Sequence, residues 1–142
     1  MREYKFRGKV IMPIGELDKL GIKHDNGWVY GNLIITGNEA WIVGSIIEWD
    51  DEYIAHEWWC QVDRNTIGQY TGLKDKHGQE IYEGDLVAVA DYASWEGLYK
   101  VIWDEENSMY MIEDAFGDRE KLCEFEEYLV KGNIYENPEL LE

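Results

Sequence analysis

Basic residues are scarce in this chain: 13 Lys and Arg stand against 30 Asp and Glu, a formal net charge of −17. A field of that sign disfavours non-specific contact with nucleic acid or an anionic membrane surface. Cysteine is nearly absent, with Cys60 in a Trp-rich segment and Cys123 in a stretch that reads as helical. Two thiols so placed give neither a disulfide framework nor a paired metal spacing, and both are expected to be buried. Proline occurs only at Pro13 and Pro138, and no Gly/Ser linker, repeat or low-complexity segment marks a domain boundary. No window approaches the ~20 consecutive apolar residues of a membrane span, and no signal-like apolar stretch follows the first residues. The expected location is the cytoplasm, with no membrane partner.

Catalytic groups are equally thin. His24, His56 and His77 are the only imidazoles, and a zinc or hydrolytic site would need several to converge with acids or thiols. His56 and Cys60 share one side of a helix or strand, but further ligands would have to be borrowed from Asp50, Asp63 or His24. His77 falls in a turn and reads as solvated. The adjacent acids Asp50, Asp51, Asp104 and Glu105 also read as solvated, because acid–base chemistry needs a pocket that shifts their pKa values. No GxSxG, P-loop, GxGxxG or HExxH pattern occurs. The chain is therefore expected not to be an enzyme, with no catalytic residue, no metal ligands and no cofactor.

Apolar and aromatic residues are plentiful. Hydrophobic residues make up 45% of the 142 positions, with seven Trp and ten Tyr, which is too apolar for a disordered acidic tail. The length predicts one domain over 1–142, the alternative being an N-terminal β part, 1–65, and an SH3-like barrel, 66–142. Charge is uneven: residues 1–23 hold six basic and three acidic side chains, and residues 48–63 hold six acids and no base.

Strand-like segments dominate. Residues 4–12 and 27–35 fit half-buried strands, separated by a loop at 13–26 with a helical turn through 16–20. Gly37 and Asn38 suit a tight turn into the apolar run 40–47, which predicts a hairpin. Residues 49–62 (WDDEYIAHEWWCQV) have no clean period; if extended, Trp58 and Trp59 point to opposite faces. Asp75 to Gly78 fits a type I turn with a bulge, and Glu83, Gly84 and Asp85 turn the chain into the β run 86–90. Residues 97–104 and 109–113 flank a polar hairpin turn, an order found in SH3-like barrels. Asp118 suits the cap of a helix running to Glu127. The expected fold is mainly β: an SH3-type small barrel with additional N-terminal strands and one short helix in the C-terminal region.

Four segments together carry a resemblance: 5–8 (KFRG), 27–33 (GWVYGNL), 62–85 (VDRNTIGQYTGLKDKHGQEIYEGD) and 132–141 (GNIYENPELL). They resemble the YopX-like family of small proteins encoded in bacteriophage and prophage genomes. The third is the most specific, with Thr66, Ile67, Gly68, Gln69, Thr71, Gly72, Leu73, Asp75, Gly78, Ile81, Tyr82, Glu83, Gly84 and Asp85 at family positions. The resemblance implies a β-rich fold with an SH3-type barrel and a phage or prophage origin. It implies no reaction, cofactor or active site.

Seven Trp are more than one small barrel easily hides, and exposed Trp and Tyr mark interfaces. The candidate interaction surface is Trp58, Trp59 and Trp95, with Thr71, Asp75 and Glu83 from the turn-rich segment. For the last three, a structural hairpin is the stronger reading and a binding surface the weaker. The expected function is a non-catalytic phage or prophage accessory protein that binds a protein partner or itself, a homo-oligomer being one form. One alternative is an acidic DNA mimic that inhibits a host DNA-binding protein. Another is a nucleic-acid-binding small barrel using Lys5, Arg7, Lys9, Lys19 and Lys23, although the net charge disfavours direct nucleic-acid binding.

Overall fold

A computed structural model of the chain describes residues 2–91 and 94–141, with the backbone alone at 91 and 94–96. The chain divides into two compact units, Met1–Gln69 and Tyr70–Glu142. Both are mainly β and antiparallel.

The first unit runs β1 (Phe6–Lys9), α1 (Ile14–Leu20), β2 (Trp28–Thr36), β3 (Glu39–Val43), β4 (Ile46–Trp49), β5 (Ile54–His56), β6 (Trp59–Val62), a 3-10 turn (Arg64–Thr66) and the start of β7 (Gly68–Lys74). Its main sheet has the order β6-β3-β2-β1, with Gly68 and Gln69 of β7 beyond β1. Alternation along the strands sends Leu33, Ile42 and Cys60, which face one another across three strands, into one core. Val10, Leu17, Val29, Ala40 and Val62 complete that core, each large aliphatic contributing ~1.5–3 kcal/mol by leaving water. The sheet curls: Val10 bridges Val62, and the Asp63 N–H donates to the Lys9 carbonyl at 2.8 Å.

In the second unit the rest of β7 pairs with β8 (Glu80–Tyr82). A five-stranded sheet of β9 (Asp85–Asp91), β10 (Ser94–Asp104), β11 (Met109–Glu113), β12 (Arg119–Lys121) and β13 (Glu127–Asn133) follows, in the order β12-β11-β10-β9-β13. A 3-10 turn, Pro138–Leu141, closes the chain. β9 lies between β10 and β13, and Leu86, Val87, Ala88, Val89 and Ala90 are all buried, as expected of a strand covered on both faces. Ile81, Val87, Val89, Val101, Ile112, Leu122 and Tyr128 form the second core.

The mainly-β expectation is met, and the structure corrects its details. The five-stranded sheet does not close into a barrel: β12 and β13 are its two ends. The helix expected from Asp118 to Glu127 is absent. Arg119, Glu120 and Lys121 pair with β11 instead, and Asp114 closes the turn by accepting the N–H groups of Phe116 and Asp118 at 2.8 and 3.0 Å. Leu122, Phe125 and Tyr128 reach the core from a turn and a strand. Their three-residue spacing mimicked a helical face. Among the described residues the α-helix is α1, longer than the helical turn expected there. The apolar run 40–47 is split at Gly44 into β3 and β4. Cys60 is buried as expected, and burial raises its pKa; Cys123 is exposed, because its segment is a turn and not a helix face.

Candidate functional site

The ambiguous segment 49–62 resolves into a projecting β-ribbon. Val43 faces Trp59 in the β3–β6 ladder; beyond them the Gly44 N–H donates to the Trp58 carbonyl at 2.9 Å and the Glu57 N–H to the Ser45 carbonyl at 2.7 Å. Ile46 then faces His56, so β4 and β5 continue the same register outward. One extra residue follows, a β-bulge, after which Glu48 faces Ala55 and Trp49 faces Ile54. β2 does not accompany them. Its pairing with β3 stops at Asn32 and Val43, and Gly31 belongs to the ladder with β1. That strand exchange needs glycine at 31, since a Cβ there would stand 2.2 Å from the Val43 carbonyl oxygen. Past Val43 the ribbon has two strands and, among the described residues, no third.

Every residue of β4 is exposed. Trp49 is 71% exposed and its cross-strand neighbour Ile54 60%, so one face of the ribbon offers an aromatic-aliphatic pair to solvent. Ile46, Ile47 and Tyr53 are exposed beside them. Asp50 shapes the tip: its Oδ1 accepts the N–H groups of Glu52 and Tyr53 at 2.7 and 3.0 Å. It is a turn cap and not simply a solvated acid. The Tyr53 hydroxyl donates to the Glu48 carboxylate, and that bond, with a smaller effect of burial, raises the phenol above its ordinary pKa.

At the root, Trp58 packs against the first core across Gly44, where a Cβ would lie 2.6 Å from the indole Nε1. Trp59, one residue on, points the other way and is 60% exposed. It faces Val43, and on the same side two residues along Trp41 faces Ile34 and Gln61. Trp58 thus anchors the root of the ribbon to the core, and Trp59 is part of an outer apolar face.

Of the six residues singled out from the sequence, Trp58 and Trp59 lie in the first unit and Thr71, Asp75 and Glu83 in the second. Thr71 donates to the Ile81 carbonyl at 2.8 Å and accepts the Leu73 N–H at 3.2 Å, tying β7 to β8. Asp75 is buried; its Oδ1 accepts the N–H groups of His77 and Gln79, and its Oδ2 that of Val130, 55 residues away. Glu83 is half-buried in the turn between β8 and β9. Thr71 and Asp75 hold backbone. The side chain of Trp95 lies outside the described residues. The residues missed from the sequence are Ile46, Ile47, Trp49, Tyr53 and Ile54.

Other constellations stay apart. His56 Nδ1 lies 3.0 Å from the Gly44 carbonyl oxygen, while Cys60 belongs to the buried core. His24 bridges the Asp18 carboxylate and the Gly27 N–H at 2.7 and 3.0 Å. Among the described residues no three of His, Cys, Asp and Glu are grouped to hold a metal ion. Of the N-terminal bases, Lys5 pairs with Glu3 and Lys19 with Glu16, and Lys9 donates to the Asn26 carbonyl. Arg7 is buried over the Trp28 ring. Asp104 is likewise engaged: Asn107 donates to it from its side chain at 2.9 Å and holds its pKa below the ordinary value. No described helix is long and apolar enough to cross a membrane.

A crystal structure of protein EF1440 from Enterococcus faecalis is similar to this chain, with a TM-score of 0.57, 23% identity and 100% of each chain covered. At that identity the likeness concerns the fold alone. A search of curated proteins finds no match. The family model described as YopX protein matches residues 23–142. The chain belongs to the YopX family.

Proposed function

We propose that this chain is a non-catalytic phage or prophage accessory protein that acts in the host cytoplasm by binding a protein, with the β4–β5 ribbon as its contact element. The observation that carries this reading is the ribbon itself. Trp49, Ile54, Ile46, Ile47 and Tyr53 stand exposed on two strands and the turn between them, and among the described residues no third strand joins. A two-stranded ribbon is marginal by itself, and clustered exposed aromatics and aliphatics are typical of interface anchors. The phage setting rests on the family resemblance. The nucleic-acid reading draws less support from the basic residues, since Lys5, Lys9 and Lys19 are engaged locally and Arg7 is buried, while Lys23 is exposed.

The test compares the wild-type chain with Trp49→Ser/Ile54→Ser. Light scattering after size exclusion and affinity capture from host lysate should reveal an assembly or a captured protein with the wild type and neither with the variant. Identical behaviour of the two chains, monomeric and with the same captured proteins, would count against the ribbon as the contact element.

A further inference from the structure

We infer that the occupant of the ribbon is a different protein, one that presents an extended segment in which apolar residues alternate with lysine or arginine, and not a second copy of this chain. The inference rests on the reading of the ribbon as a contact element and specifies what it contacts.

Three features carry it. The first is backbone geometry. β4 and β5 form a two-stranded sheet, so among the described residues each keeps an outer edge with no neighbouring strand, and such an edge accepts an added strand through main-chain hydrogen bonds. An extended segment fits where a helix or a flat surface would leave those groups unpaired.

The second is the apolar pattern. Trp49 and Ile54 are cross-strand partners on one face and both are largely exposed. A third strand laid alongside would continue that face with every second side chain, which calls for apolar residues at alternate positions.

The third is charge. Residues 46–57 contain Glu48, Asp50, Asp51, Glu52 and Glu57 and no Lys or Arg. These are five of the eleven acids in Met1–Gln69, gathered into twelve residues. Among the described residues none of the five forms an ion pair with a base. Two copies of the ribbon would bring two such clusters together between chains of net charge −17 each, a like-charge juxtaposition that disfavours self-association. A partner strand whose polar positions are basic meets the same rim with complementary charge and is steered towards it.

The experiment uses the full chain and three synthetic peptides of about ten residues, the span of a long strand, alternating Val with Lys, Val with Thr or Val with Glu. Binding is followed by Trp fluorescence and by amide hydrogen exchange. The Val-Lys peptide should slow exchange at 46–49 or at 54–56 and bind about tenfold more tightly at low than at high salt. Because a polybasic peptide is drawn to any acidic protein, two charge-matched variants are compared. Asp51→Asn/Glu52→Gln/Glu57→Gln should weaken binding about tenfold, and Glu124→Gln/Glu126→Gln/Glu127→Gln should leave it within about twofold. Equal weakening by both triples, or equal binding of the Val-Thr or Val-Glu peptide at the ribbon, overturns the basic-partner inference while leaving the ribbon as contact element. A wild-type dimer dispersed by Trp49→Ser/Ile54→Ser does the same by identifying a second copy as the occupant. Absence of protection at 46–57 with every peptide, together with no effect of Trp49→Ser/Ile54→Ser on any association, overturns both readings.

Discussion

Asp75 shows how one carboxylate can hold distant pieces of chain. It caps its own turn through His77 and Gln79 and reaches Val130 on β13. Burial by itself would raise its pKa; the amides of Val130, Gln79 and His77 together outweigh that and hold the carboxyl below its ordinary value. Asp75→Asn keeps the shape but can turn an amide N–H₂ towards the Val130 N–H. It should cost about 1–3 kcal/mol in urea denaturation at neutral pH, the usual cost of leaving a buried donor unpaired. The folded-state pKa is depressed, so the stability contributed by the ionised group is present above the unfolded value near ~4. It is lost as pH falls through the lower folded value. The difference between wild type and variant should therefore shrink below about pH 4; a difference unchanged across that range would show that the charge contributes nothing.

Among the elements, the β12 region and the ribbon make opposite points about what a sequence displays. At β12, the spacing of Leu122, Phe125 and Tyr128 suggested a helix capped by Asp118, whereas Asp114 closes the turn. Asp114→Ala should therefore cost about 1 kcal/mol, as loss of a cap does, and Asp118→Ala close to nothing; thermal melts would separate the two, and the reverse order would restore the helix. For the ribbon, Trp49→Ser/Ile54→Ser should alter unfolding free energy by no more than about 0.5 kcal/mol per substitution, because neither side chain enters a core. Chemical denaturation tests this, and a larger loss would mean that the ribbon is held by the fold. The strands around Gly37, Asp75, Gly84 and the 105–108 turn were legible because turn chemistry is local. The split at Gly44 was not, because it depends on Trp58 lying across that glycine. The ribbon was illegible for a related reason: its register is inherited from β3 and β6, and its exposure from the departure of β2, which no short window contains. The turn-rich segment was read correctly as hairpin and turn, while the exposed apolar residues Trp49, Tyr53 and Ile54 lay in the stretch that had no period.

For the whole molecule, charge is divided unequally between the units. Met1–Gln69 holds seven Lys and Arg against eleven acids, and Tyr70–Glu142 six against nineteen. Self-repulsion of this kind opposes compaction and is screened by salt. Raising NaCl from about 0.02 to about 0.5 M, which cuts the screening length several-fold, should raise the melting temperature, and a flat response would show that ion pairs such as those of Arg119 and Lys100 with Glu113 offset the excess. The ribbon, by contrast, lies in the unit with the smaller charge excess and outside both cores. If the tip adds as little to folding as its exposure implies, residues 46–56 are free to change sequence, and under the proposed contact role such changes would alter which partner is met while the scaffold beneath stays as it is.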